Sequence, residues 1–157
     1  MSREFIALAI MGIDQHENGA IAVARVLREA QMKVEYLGKF HTPTSVADNV
    51  IARGADVVGI SCHSWEYMRL VPQLVDELRA RGADIPVVIG GSVITPEDAE
   101  KMRRAGVAAV FTNSTDGDAV IECIRALSAA RKKAASATPR SAASVLRDVS
   151  AMPPSER

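Results

Sequence analysis

The chain has 157 residues, with 19 basic and 19 acidic side chains, 48% hydrophobic residues and only 4% aromatics. Wholesale disorder is excluded, and the length allows one domain with an aliphatic core. Zero net charge argues against a general nucleic-acid binder, and two cysteines, Cys62 and Cys123, are too few for a disulfide framework and read as thiols of a reducing compartment.

The first apolar run, Phe5 to Met11, is too short to cross a membrane, and no small-residue cleavage site follows it. The expectation is therefore a cytoplasmic protein with no membrane association. Phe5 to Ile10 reads as a strand buried on both faces. Gly19 to Gln31 reads as a helix with an apolar stripe through Ile21, Val23, Ala24, Val26, Leu27 and Ala30. Val34 to Leu37 is a short strand. Pro43 to Arg53 is a helix with Thr42 as its cap. Val57 to Ile60 is the third strand, and Trp65 to Arg81 is a helix closed by Gly82. Pro86 to Ile89 is the fourth strand, ended by Gly90-Gly91. Thr95-Pro96-Glu97-Asp98 opens a helix with a capping threonine, a proline at the first position and acids in the first turn. Ala108 to Phe111 is the fifth strand, and Thr115 to Arg131 is the last helix.

Strict alternation of strand and helix with short links predicts an α/β fold. It is a flavodoxin-like (Rossmann-like) five-stranded parallel sheet with helices on both faces, in the order 2-1-3-4-5. The character changes near Arg131. From there to the end lie six basic residues against two acidic ones, leaving 13 basic and 17 acidic on the first 130 residues. Residues 1–130 are expected to form the domain. Residues 131–157, rich in Ala, Ser and Pro, are expected to form a flexible basic tail, with docking on an acidic partner as the sharper alternative.

Ligands of an open parallel sheet bind beyond the carboxyl ends of its strands. The loops at that edge hold all three histidines, His16, His41 and His63. The dinucleotide fingerprint, the P-loop and the nucleophile elbow are all missing. What the first loop does contain is Asp14-x-His16-x-x-Gly19 between a buried strand and a helix. This resembles the D-x-H-x-x-G signature of cobalamin-binding domains. The resemblance is collinear over roughly residues 6 to 127. It takes in Gly38 to Pro43, Val57 to Ser61, Leu70 to Leu74, Val88 to Gly91, Pro96-Glu97-Asp98 and Ala105 to Phe111. The chain looks like the cobalamin domain of the methylmalonyl-CoA mutase class, standing alone as the small subunit of an acyl-CoA mutase.

The resemblance implies adenosylcobalamin (coenzyme B12) as cofactor, bound base-off/His-on with His16 as the lower axial cobalt ligand. Imidazole suits such an ion, and Asp14 on the other ring nitrogen would fix the tautomer and raise basicity. Gly19 would let the chain turn into the helix without blocking the cofactor's nucleotide tail. Gly90 and Gly91 would clear a slot for that tail, Ser61 would bond its base, and Ser114 and Thr115 would contact it. No catalytic residue is expected in this chain. The acyl-CoA substrate would sit in a large TIM-barrel mutase subunit, met through Phe40, Trp65 and Tyr67. Two segments depart from the family pattern: Ser61-Cys62-His63 where Ser-x-Leu is usual, and Thr112-Asn113-Ser114-Thr115 where Gly-Pro-Gly-Thr is usual. A corrinoid carrier or B12-dependent regulatory domain is one alternative, disfavoured because strand one begins at Phe5 with no helical bundle before it. A cofactor-free metal site of His16, His41 and His63 is the other.

Overall fold

Five strands and five helices alternate along the computed structural model, which describes residues 3–137. The strands are β1 (Phe5–Ala9), β2 (Lys33–Tyr36), β3 (Val57–Ser61), β4 (Val87–Gly90) and β5 (Ala109–Phe111). They form one parallel sheet in the order β2-β1-β3-β4-β5. This is the flavodoxin-like order expected from the sequence. The helices are α1 (Asn18–Glu29), α2 (Pro43–Arg53), α3 (Tyr67–Ala80), α4 (Pro96–Arg104) and α5 (Gly117–Ala137).

Side chains of a strand alternate between faces, so each strand feeds two cores. Ala7, Ala9, Val58, Ile60, Val87 and Ile89 point to one face and pack against Val46 and Val50 of α2, Leu74 and Leu78 of α3 and Met102 of α4. Ile6, Leu8, Val34, Val57 and Val88 point to the other, under Ala24 and Leu27 of α1 and Val120 and Ile124 of α5. Three helices cover the first face and two the second, and the second core is much the smaller.

The helix signals act where the sequence puts them. Thr42 and Ser45 form a reciprocal capping box at the start of α2. The Thr95 side chain accepts from the Asp98 N–H at the start of α4. Several helix ends differ from expectation: α3 starts at Tyr67 rather than Trp65, and α5 at Gly117 rather than Thr115. α1 stops two residues short of Gln31, which adopts a left-handed φ of 68° and turns the chain into β2. α5 runs six residues past Arg131, held by Asp56. Buried Asp56 accepts from the Phe5 N–H at 2.9 Å and from the Ser128 hydroxyl at 3.1 Å. It also pairs with Arg131 at 3.4 Å and Lys132 at 3.3 Å. The rest of the expected tail, residues 138–157, lies outside the described residues. Among the described residues no helix is long and apolar enough to cross a membrane.

Candidate functional site

The loop after β1 carries the Asp14–His16 pair, and it is pinned from several sides. Ile10 N–H donates to the Gly38 carbonyl, and Gly12 N–H to that of His41. Gly12 has a φ of 72°, and a Cβ there would press on Leu70 and the Glu66 carboxylate, which accepts from the Ile13 N–H at 2.9 Å. A loop fixed in this way holds its functional side chains at small entropic cost on binding.

Asp14 is buried, whereas the His16 side chain is 69% exposed. One oxygen of Asp14 accepts from the His16 backbone N–H at 3.0 Å and lies 2.7 Å from the ring Nδ1. Its other oxygen accepts from the His63 backbone N–H at 2.8 Å, tying the loop after β1 to the loop after β3. Burial alone would push the Asp14 carboxyl up. The hydrogen bonds from His16 and His63, with the charge of His16, outweigh it and hold the carboxyl below its ordinary value. An ionised, oriented carboxylate on Nδ1 leaves Nε2 of an exposed imidazole free, an arrangement that could hold a transition-metal ion.

Beside this pair, a cavity of about 270 Å³ opens between the sheet and the α1/α5 layer. Ile6, Leu8, Val23, Val26, Val88 and Ile124 give it hydrocarbon walls. Two glycines of the sheet, Gly59 and Gly90, line it. Gly59 stands in the middle of β3 on this face, where a Cβ would fall 2.6 Å from a Leu8 methyl. Gly90, paired in register with Ser61, would seat a Cβ 3.5 Å from the Phe111 carbonyl, in ordinary contact. The cavity lies within the smaller of the two cores, whose Ile6, Leu8, Val88 and Ile124 line it.

Of the residues singled out from the sequence, Gly19, Ser61, Gly90, Gly91 and Thr115 line the cavity, with Asp14 and His16 on the adjoining loop. Ser114 does not line it; its hydroxyl bonds that of Thr112 at 2.9 Å. Two glycines act differently from expectation. Gly19 lies inside α1 rather than at a turn, and a Cβ there would meet His63 Nε2 at 2.9 Å. At Gly91 a Cβ would overlap the Cys62 carbonyl, so this glycine permits a backbone approach more than it opens the slot. Thr112 and Asn113, part of the segment that departs from the family pattern, also line the cavity; sequence reasoning missed Gly59, whose signal was a glycine in a buried strand.

The three-histidine site does not form. Both ring nitrogens of His41 are engaged, Nδ1 with Ser45 Oγ at 2.9 Å and Nε2 with the Leu37 carbonyl at 2.8 Å. Among the described residues no three His, Cys, Asp or Glu side chains are placed to hold a metal ion. His63 does approach His16, with ring centres 5.6 Å apart. Tyr67 is not available to a partner: it is buried in the α3 face, its hydroxyl 3.4 Å from Asp98. Phe40 and Trp65 are exposed as expected, and Ile13 joins them on the same edge of the sheet.

The chain matches the B12 binding domain family over residues 6–122. It is 40% identical over 126 residues to the 2-hydroxyisobutanoyl-CoA mutase small subunit of Aquincola tertiaricarbonis, covering 80% of this chain and 93% of that protein. It is 39% identical over 101 residues to the ethylmalonyl-CoA mutase of Cereibacter sphaeroides, there covering 64% of this chain but only 15% of that protein. Among solved structures, a cobalamin-binding protein from Desulfitobacterium hafniense DCB-2 superposes with a TM-score of 0.69 at 23% identity, covering 80% of this chain and 59% of that one. This last likeness shows the fold.

Proposed function

The chain belongs to the B12-binding domain family, and from that premise we propose that it is the cobalamin-binding small subunit of an adenosylcobalamin-dependent acyl-CoA mutase. The observation that carries the reading is the buried Asp14 bonded to Nδ1 of an exposed His16 at 2.7 Å, beside a largely hydrocarbon-walled cavity. His16 would ligate the cobalt in place of the cofactor's own base, the base-off/His-on mode, with Asp14 fixing its tautomer. Gly19, Ser61, Gly90 and Thr115, which line the cavity, would hold the displaced nucleotide tail. Gly91 shapes the adjoining turn, and Ser114 braces the loop before α5.

When bound, adenosylcobalamin supplies a cobalt–carbon bond that breaks homolytically and starts the rearrangement. The chain's own part is to bind, orient and shield; no residue in it acts on the substrate. That role falls to a large TIM-barrel subunit carrying the acyl-CoA. Ile13, Phe40 and Trp65 support such a partner, being large apolar side chains exposed on three neighbouring loops at the ligand edge. The stand-alone form is supported by the relative whose small subunit is matched over 93% of its length. Cys62 and Cys123, both free thiols, fit a cytoplasmic setting.

The test is direct. The purified chain is mixed with hydroxocobalamin or adenosylcobalamin, gel-filtered, and its visible spectrum recorded. Retained corrinoid with a shifted spectrum is expected, and His16→Ala should lose the shift. Failure to retain corrinoid, with or without a candidate large subunit, overturns the reading. An unchanged spectrum in His16→Ala overturns the axial assignment.

A further inference from the structure

His63 stands where the resembled domains usually carry leucine, and the proposed function has not used its side chain. Five polar side chains border the cavity: Ser61, His63, Thr112, Asn113 and Thr115. Two of them are committed within their own loop, because Thr112 N–H donates to Thr115 Oγ1 at 2.9 Å and Thr112 Oγ1 bonds Ser114. The Ser61 hydroxyl, the Asn113 amide and His63 Nε2 have no hydrogen-bond partner among the described residues.

Of these three, only His63 is clamped at both ends. Its backbone N–H is fixed on Asp14 at 2.8 Å, and its ring Nδ1 lies 3.2 Å from Ser92 Oγ. We assign the Ser92 hydroxyl as the donor to Nδ1, which puts the ring proton on Nε2 and makes it the free donor. It lies against Gly19 at the cavity mouth, since a Cβ on that glycine would stand 2.9 Å from Nε2. The deeper walls are hydrocarbon and suit an aromatic base, while a donor held at the mouth suits the oxygens of a sugar phosphate. Building on the cobalamin reading, we infer that His63 is a specificity-determining contact for the nucleotide tail, donating from Nε2 to a sugar or phosphate oxygen of the tail. It therefore distinguishes complete cobalamin from corrinoids that lack the tail.

The experiment measures equilibrium binding of hydroxocobalamin and of diaquocobinamide, which has no nucleotide tail, to the full chain and to His63→Ala and His63→Gln. The backbone bond from residue 63 to Asp14 persists in both variants. His63→Ala should weaken hydroxocobalamin on the order of ten-fold, the size of one hydrogen bond. Cobinamide affinity should stay unchanged, which also shows that the variant is folded. His63→Gln, which keeps a donor, should recover part of the loss. Equal weakening of both corrinoids, or no weakening of either, overturns the inference. If the unaltered chain binds neither corrinoid, the cobalamin reading itself fails.

Discussion

Both oxygens of Asp14 are occupied, and that single carboxylate joins two loops that the sequence holds 49 residues apart. The Asp14–His16 spacing is legible in the sequence; the bond to His63 is not, because nothing local announces it. Tyr67 teaches the same lesson in reverse. Its place beside the site suggests exposure, but the start of α3 rotates it into the core. Its phenol and that of Tyr36 are both pushed well above the ordinary range by burial, reinforced by Asp98 and Glu17 respectively. Tyr36 donates to Glu17 at 2.7 Å. A raised phenol means that the folded state holds its proton more tightly than the unfolded chain does. This stabilisation is complete below the ordinary tyrosine pKa of about 10 and is lost as pH rises toward the folded value. Since these are the protein's two tyrosines, an alkaline absorbance titration of the native chain should show no tyrosinate until unfolding begins. In urea both should titrate near the ordinary value; a native transition there would contradict the assignment.

At the scale of elements, α1 matters most for binding because its inner face is divided between core and cavity. Ala24 and Leu27 are buried on the sheet, whereas Val23 and Val26 line the cavity and remain partly exposed. Filling the cavity from this helix should separate folding from binding. Val23→Phe has room to grow without displacing core atoms, so its midpoint of thermal unfolding should shift by only a few degrees, a stability change within about 1 kcal/mol. Its corrinoid retention on gel filtration should fall at least ten-fold; unimpaired retention would place the tail elsewhere. Most elements were legible because their signals are local: Thr42-Pro43 and Thr95-Pro96 start helices, and unbroken apolar runs mark strands buried on both sides. The end of α5 was not legible. Its last turns are held by pairing of Arg131 and Lys132 with Asp56, a tertiary contact that overrides a change in composition. Gly59 likewise reads as an ordinary strand glycine until Leu8 is seen to occupy the space that a Cβ would need.

For the whole molecule, the two faces of one sheet are built to different ends. The face under α2, α3 and α4 is close-packed, while the face under α1 and α5 gives up packing for a cavity. A ligand that fills the cavity should therefore return stability. At a free cobalamin concentration of one hundred times Kd, mass action adds about 2.7 kcal/mol. That should raise the unfolding midpoint by several degrees for a domain of this size. Hydrogen exchange should slow chiefly in α1 and α5, and uniform slowing would argue against tail burial there. The central claim is that His16 of this chain, rather than the cofactor's own base, coordinates the cobalt. It is tested most directly by electron paramagnetic resonance of the chain loaded with cob(II)alamin, prepared once at natural abundance and once uniformly labelled with nitrogen-15. If His16 is the ligand, labelling the protein converts the axial nitrogen splitting from a triplet to a doublet. A triplet that survives labelling would mean the cofactor's base is still on the metal, and would contradict the account.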